Sequence, residues 1–219
     1  MFPEAVSTFG PSIDGLYKAI LGITGFFFFL VQGLLLFFLI RYRASRHPKA
    51  AYVHGNTGLE IVWTVIPALI LVVLTIGSQR VWTQIRSPEN FPKTGAVEAE
   101  ILAEQFAWNV RYAGADGRMN TEDDVATINQ LHLPVGKPVK LTLRSKDVIH
   151  SFFVPEFRVK QDAVPGLDSA VWMKLIKTGQ FDIRCAELCG LGHYRMRGYA
   201  TVESPEQFEA WLKEAKANE

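Results

Sequence analysis

Two stretches of the chain carry no charge and show no polar face. The first holds 22 residues between Lys18 and Arg41, and the second holds 19 between Glu60 and Arg80. At ~1.5 Å of rise per residue, roughly 20 apolar residues cross the hydrocarbon of a bilayer. A helix of a water-soluble protein needs a polar side, which these segments lack. The pattern predicts membrane helices over about 17–40 and 60–80. After Arg80 the pattern changes. The prolines between Ser87 and Pro92 stop the helix. Apolar residues then alternate, as in Val97, Ala99, Ile101 and Ala103, or Val139, Leu141 and Leu143. Period-two runs between Gly and Pro clusters predict strands near 97–112, 127–133, 138–145, 150–155, 169–176, 179–184 and 198–203. Many short strands of this kind predict a β-sandwich or barrel. A last helix is expected from Ser204. Ser204 and Gln207 have capping-box spacing, Pro205 suits the first turn, and Phe208, Trp211 and Leu212 form a stripe. The expected organisation is a transmembrane hairpin over 1–82 and an all-β domain over 83–219.

Charge orients this hairpin. The connection between the helices carries Arg41, Arg43, Arg46 and Lys49 and no acid, so it belongs on the cytoplasmic side. The N-terminus and the β domain then both lie outside, with Trp82 as an interfacial anchor. The N-terminal residues lack the basic start of a cleavable signal peptide, so both helices are expected to remain. Residues 81–219 hold 17 Lys and Arg against 19 Asp and Glu. That acidic balance does not suit nucleic acid. The polar run from Gly114 to Asp124 lacks the spacing of an EF-hand and is expected to be a solvated hairpin.

The chemistry is concentrated in C-A-E-L-C-G-L-G-H-Y-R-M, Cys185 to Met196. A disulfide between Cys185 and Cys189 suits an oxidising compartment but leaves His193 and Met196 idle. Zinc would accept both thiols, His193 and a distant His, but has no use for a thioether. Copper takes thiolate, imidazole and thioether together, and two thiols on one loop can bridge two ions. His150 is the candidate for a further imidazole. His132, in a Leu-His-Leu-Pro strand, reads as structural, and His47 and His54 lie on the cytoplasmic loop.

This motif, C-x-E-x-C-x₃-H-x₂-M, resembles subunit II of the haem–copper oxidases at every position. The segments V-I-H-S-F-F-V-P (148–155), K-Q-D-A-V-P-G (160–166) and E-I-V-W-T-V-I-P-A (60–68) are also similar to that family. The resemblance implies a cupredoxin-like domain with a binuclear copper centre, CuA. It implies that Cys185 and Cys189 bridge the ions, that His150 and His193 hold one each, and that Met196 and the Glu187 carbonyl complete the set. It implies a magnesium ion shared through the Glu187 side chain with subunit I, and a proton-path role for Glu60. A helix-dipole role for Glu60 is an equal alternative. The implied partners are subunit I, subunit III and a c-type cytochrome donor, and the implied reaction is oxygen reduction in subunit I coupled to proton translocation. A bacterial inner membrane is the expected location.

Two departures stand out. Family members often read Q-W-x-W where electrons arrive; this chain reads Q-F-A-W, with Phe106 and Trp108. Leu167 stands where an Arg is common. Phe106, Trp108 and Met119 are candidates for the surface that receives electrons. Asp116, Glu122, Asp123, Asp124 and Asp147 are candidates for docking the donor electrostatically. No C-x-x-C-H occurs, so a separate cytochrome is expected to deliver the electron.

Overall fold

The computed structural model describes residues 2–114, 118–119 and 121–217. Two helices lead the chain: α1, Gly10–Arg41, and α2, Thr57–Arg86. Each extends beyond its charge-free stretch by one or two polar turns. Both are long and apolar enough to cross a membrane. Asn56 caps α2 by accepting the Leu59 N–H at 3.1 Å, which places Glu60 in the first turn. Ten strands follow: β1 (Val97–Glu104), β2 (Ala107–Tyr112), β3 (Val125–Ile128), β4 (Gln130–Pro134), β5 (Pro138–Ser145), β6 (His150–Val154), β7 (Val159–Ala163), β8 (Ser169–Lys174), β9 (Gly179–Cys185) and β10 (Arg197–Glu203). Helix α3, Pro205–Ala217, ends the described chain. Its capping box is complete. The Ser204 N–H donates to Gln207 Oε1 at 3.0 Å, and the Gln207 N–H donates to Ser204 Oγ at 3.2 Å.

The strands form two sheets, β3-β2-β1-β5-β8 and β4-β10-β9-β6-β7. β1 lies parallel to β5 and β10 parallel to β4, and the other pairs are antiparallel. Ile101, Leu141 and Leu143 from the first sheet and Leu131, Phe152 and Ile183 from the second are fully buried in one core. This is the expected sandwich, with ten strands among the described residues where seven were expected. The 97–112 stretch is a hairpin that turns between Glu104 and Ala107, with no Gly or Pro to announce it. The 127–133 stretch divides at Asn129, whose φ of 60° is left-handed backbone that Asn tolerates. β3 and β4 consequently belong to different sheets. β7 went unpredicted because Lys160, Gln161 and Asp162 separate its apolar ends, and it is an edge strand.

The chain divides into two compact units, Ser12–Thr83 and Met1–Pro11 with Gln84–Glu219. The residues before α1 therefore pack with the β domain. Ser7 bridges Leu175 at the end of edge strand β8. Val6 N–H donates to the Glu156 carbonyl at 2.8 Å, and Ile176 N–H donates to the Val6 carbonyl at 2.9 Å. Val6, Ser7 and Phe9 are buried. Phe9 packs edge-on against Trp172, with ring centroids 4.6 Å apart. The segment covers a sheet edge that would otherwise be open for pairing with another chain.

Candidate metal centre

The antiparallel pairing of β6 with β9 sets Phe152 opposite Cys185. Ala186 N–H continues the contact by donating to the Ser151 carbonyl at 2.9 Å. His150, at the start of β6, thus lies beside Cys185, at the end of β9. The loop 186–196 then folds back, tightening into a 3-10 turn over His193–Arg195 before β10. That turn brings Cys189, His193 and Met196 onto the same spot.

The donor atoms fall into two similar halves. Cys185 Sγ lies 3.8 Å from His150 Nδ1 and 3.2 Å from the Glu187 carbonyl. Cys189 Sγ lies 3.6 Å from His193 Nδ1 and 3.7 Å from Met196 Sδ. The two sulfurs are 3.7 Å apart and unbonded. One ligand atom each from His150, Cys185 and Cys189 fall within 4.8 Å of one another. A metal–thiolate bond is ~2.3 Å, so sulfurs at this separation can share an ion on either side. The donor set fits copper, since each half offers thiolate, imidazole and one weak oxygen or thioether ligand. His150 is fully buried, and Cys189 and Met196 are nearly so. Burial pushes the Cys189 thiol up to about 11, helped by its hydrogen bond with Cys185. It therefore holds its proton at neutral pH until a metal displaces it.

His150 presents its other nitrogen to a carboxylate. Nε2 donates to Asp147 Oδ1 at 2.8 Å, which leaves Nδ1 as the lone-pair nitrogen facing Cys185. Asp147 also accepts the N–H groups of Gln105 at 2.7 Å and Val148 at 2.6 Å. Burial raises its carboxyl, and the three bonds, that from His150 foremost, outweigh this and hold it below the ordinary range. Asp147 thus braces the His150 ring while keeping exposed surface of its own. Sequence reasoning missed this role, although its signal was present as an Asp three residues before a ligand His.

The other expected residues are distributed as follows. Phe106 packs against the loop glycines. A Cβ on Gly192 would lie 2.5 Å from its ring. Trp108 is fully buried and meets His150 edge-on, with centroids 6.2 Å apart, so it forms part of the interior and not of a docking surface. Met119 lines a cavity with Tyr112, Phe208 and Leu212, which none of the metal-site residues lines. Asp124 is buried and pairs with Arg111 at 3.7 Å, and Asp123 pairs with Lys216 at 3.5 Å. Glu122 is exposed, and Asp116 lies outside the described residues. The Glu187 side chain is exposed, as are Leu167 and Glu60. His132 is structural: it stacks on Trp211 at 3.9 Å and pairs with Glu203 at 2.9 Å.

The Gly192 contact makes a direct prediction. Gly192→Ala is expected to cost about 1–3 kcal/mol through overpacking against Phe106. A thermal melt identical to that of the unchanged chain would mean that this contact is absent.

Comparison with known proteins gives the family of the chain as a whole. Residues 71–202 match the family model described as cytochrome c oxidase subunit II, periplasmic domain, and residues 1–81 match its transmembrane domain. The chain is 37 % identical over 227 residues to an alternative cytochrome c oxidase subunit 2 of Bradyrhizobium diazoefficiens, covering 93 % of this chain and 80 % of that one. It is 31 % identical over 268 residues to cytochrome c oxidase subunit 2 of Thermostichus vulcanus, covering 99 % and 79 %. A crystal structure of the periplasmic domain of subunit II of cytochrome oxidase from Bradyrhizobium japonicum is 29 % identical, covers 57 % of this chain and 96 % of its own, and superposes with a TM-score of 0.49. With both family models matched and these relatives spanning most of its length, the chain is a membrane protein of the cytochrome c oxidase subunit II family.

Proposed function

We propose that this chain is the electron-accepting subunit of a haem–copper terminal oxidase, taking electrons from a c-type cytochrome at a binuclear copper site and passing them to haem in subunit I. The observation that carries this reading is the division of the donor atoms into two halves joined by two sulfurs 3.7 Å apart. When bound there, a copper pair would supply one-electron chemistry with little rearrangement, because the charge would be shared between two ions. The residues of the chain do the rest. Cys185 and Cys189 would hold both ions, His150 and His193 one each, and Met196 and the Glu187 carbonyl would complete the two ligand sets. Burial of His150, Cys189 and Met196 keeps water from this side of the site.

Phe106 covers the metal loop at Gly190 and Gly192, and Trp108 lies edge-on to His150. These two rings form the electron path from the donor in this reading. The donor approaches the metal loop, where the large apolar side chains Leu188, Leu191 and Tyr194 are exposed. Of the acids considered for steering, Asp124 is buried against Arg111, whereas Glu122 and Asp147 keep exposed surface.

The Glu187 side chain is free to share a magnesium ion with subunit I, and Glu60 to serve a proton path there. Subunit III completes the complex. The packing of residues 2–9 on the β domain supports an even number of crossings, with both chain ends outside a bacterial inner membrane and the Arg-rich connection within.

Purification of the tagged chain from its own membranes tests this function. Co-elution with a haem-bearing partner, together with oxygen uptake driven by a reduced c-type cytochrome, is expected. Recovery of the chain as a copper protein without haem would overturn it. Within the site, Met196→Leu is expected to retain both ions and raise the potential by an amount on the order of tens of millivolts, since a weak axial donor tunes it. A potential and spectrum identical to those of the unchanged chain would remove Met196 from the ligand set.

A further inference from the structure

We propose that Asp147 and Gln105 act together as a positioning clamp, which fixes the His150 ring and the Cys189 main chain to each other across the metal centre. The proposal rests on the copper reading above and extends it to two residues that touch no metal. Three separate connections meet at this pair: the β1–β2 turn, the β5–β6 connection and the metal loop. Asp147 accepts from His150 Nε2, from the Gln105 N–H and from the Val148 N–H. The Gln105 side-chain amide donates to the Cys189 carbonyl at 2.5 Å. One carboxylate and one amide thus link a ligand on one half of the centre to the main chain of the thiolate on the other.

Two further observations show that the surroundings are shaped for this contact. Gly190 has φ of 130°, and a Cβ there would lie 2.5 Å from Gln105 Nε2. The glycine supplies a backbone conformation that other residues rarely adopt and leaves room for the amide. The neighbouring residues close the same seam. Lys146 N–H donates to the Ala103 carbonyl at 3.0 Å, and the Lys146 ammonium pairs with Glu104 at 2.6 Å.

The chemical consequence concerns the ligand nitrogen. With Nε2–H committed to a carboxylate, the imidazole is held as the tautomer whose Nδ1 is free, and the carboxylate makes that nitrogen a better donor. Gln105 fixes the carbonyl of Cys189, and through it the direction of its thiolate. Because Phe106 follows Gln105 in the chain, the same clamp seats its ring on the metal loop. A tie that only joined two turns would contribute to stability and leave the metal unaffected.

The test compares the full chain in detergent, loaded with copper, with Asp147→Asn and Gln105→Leu. Asp147→Asn is expected to lose copper to a chelator ~10–100-fold faster, the usual cost of removing a carboxylate behind a metal-bound His. Its potential is expected to rise, since a negative charge beside the centre is gone, and the hyperfine splitting is expected to become unequal between the two nuclei. Gln105→Leu should hasten copper loss from the Cys189 side, and the double variant should be little worse than the more affected single one. If both variants melt lower yet retain wild-type copper release, potential and hyperfine splitting, the pair is a turn tie and the clamp is overturned. Should one variant fail to fold, the other decides by the same readings. A wild-type chain that shows no copper pair would instead sink the copper reading, and the clamp with it.

Discussion

Cys185→Ser and Cys189→Ser are each expected to abolish the two-ion site and bring electron transfer down to background. The two substitutions should be equally damaging although Cys189 is buried and Cys185 is half-exposed. The two sulfurs together are the strong donors that join the halves. Removing Cys185 leaves Cys189, His193 and Met196 as a single-ion set, and removing Cys189 leaves Cys185, His150 and the Glu187 carbonyl. A serine hydroxyl does not ionise near neutral pH and binds soft metals poorly. The fold itself should survive, because the replacement is nearly isosteric. Copper content and the visible spectrum of the full chain check this. Two coppers per chain with an unchanged thiolate band would exclude a bridging role.

The second large effect concerns stability. Phe9→Ala is expected to cost about 3–5 kcal/mol, the range for truncating a buried aromatic side chain. Val6→Asp in the same chain should bring the β domain close to unfolding, since total stabilities are only ~5–15 kcal/mol. Both residues lie in the strap before α1. Val6 is 1 % exposed and Phe9 5 %, and the strap donates and accepts backbone bonds with Glu156 and Ile176. Unfolding of the full chain in detergent, followed by tryptophan fluorescence, reads the loss through Trp172, which Phe9 touches. An unchanged midpoint for the double variant would mean that the β domain stands without its strap. A β domain begun at Gln84 would omit these residues, so the full chain is the sounder material for metal work.

The parts of this architecture written in local sequence were legible. Uncharged length gave α1 and α2, Ser204 and Gln207 gave the start of α3, and donor spacing between Cys185 and Met196 gave the sulfur cluster. His150 was reachable because its strand left few other imidazoles on the same side of the membrane. Long-range pairing was not legible. The residues before α1 carry no periodicity that announces a strand, and their contact with the end of β8, some 170 residues away, makes Val6 and Phe9 core residues. The turn at Gln105 and Phe106 contains no turn-forming residue and is held by Asp147 instead. The contact of Asp147 with His150 is not legible either, because an acid near a surface loop looks the same in sequence whether or not an imidazole faces it. Asn129 was the one missed break that carried a local signal, as Asn tolerates positive φ.

In the proposed site, two copper ions held by Cys185 and Cys189 would share one electron. The most direct measurement is the electron paramagnetic resonance spectrum of the full chain in detergent after copper loading and partial oxidation. Hyperfine splitting distributed equally over two copper nuclei, with a purple thiolate absorption, is the predicted result. A pattern from a single copper nucleus, or a colourless zinc-bound chain, would contradict it.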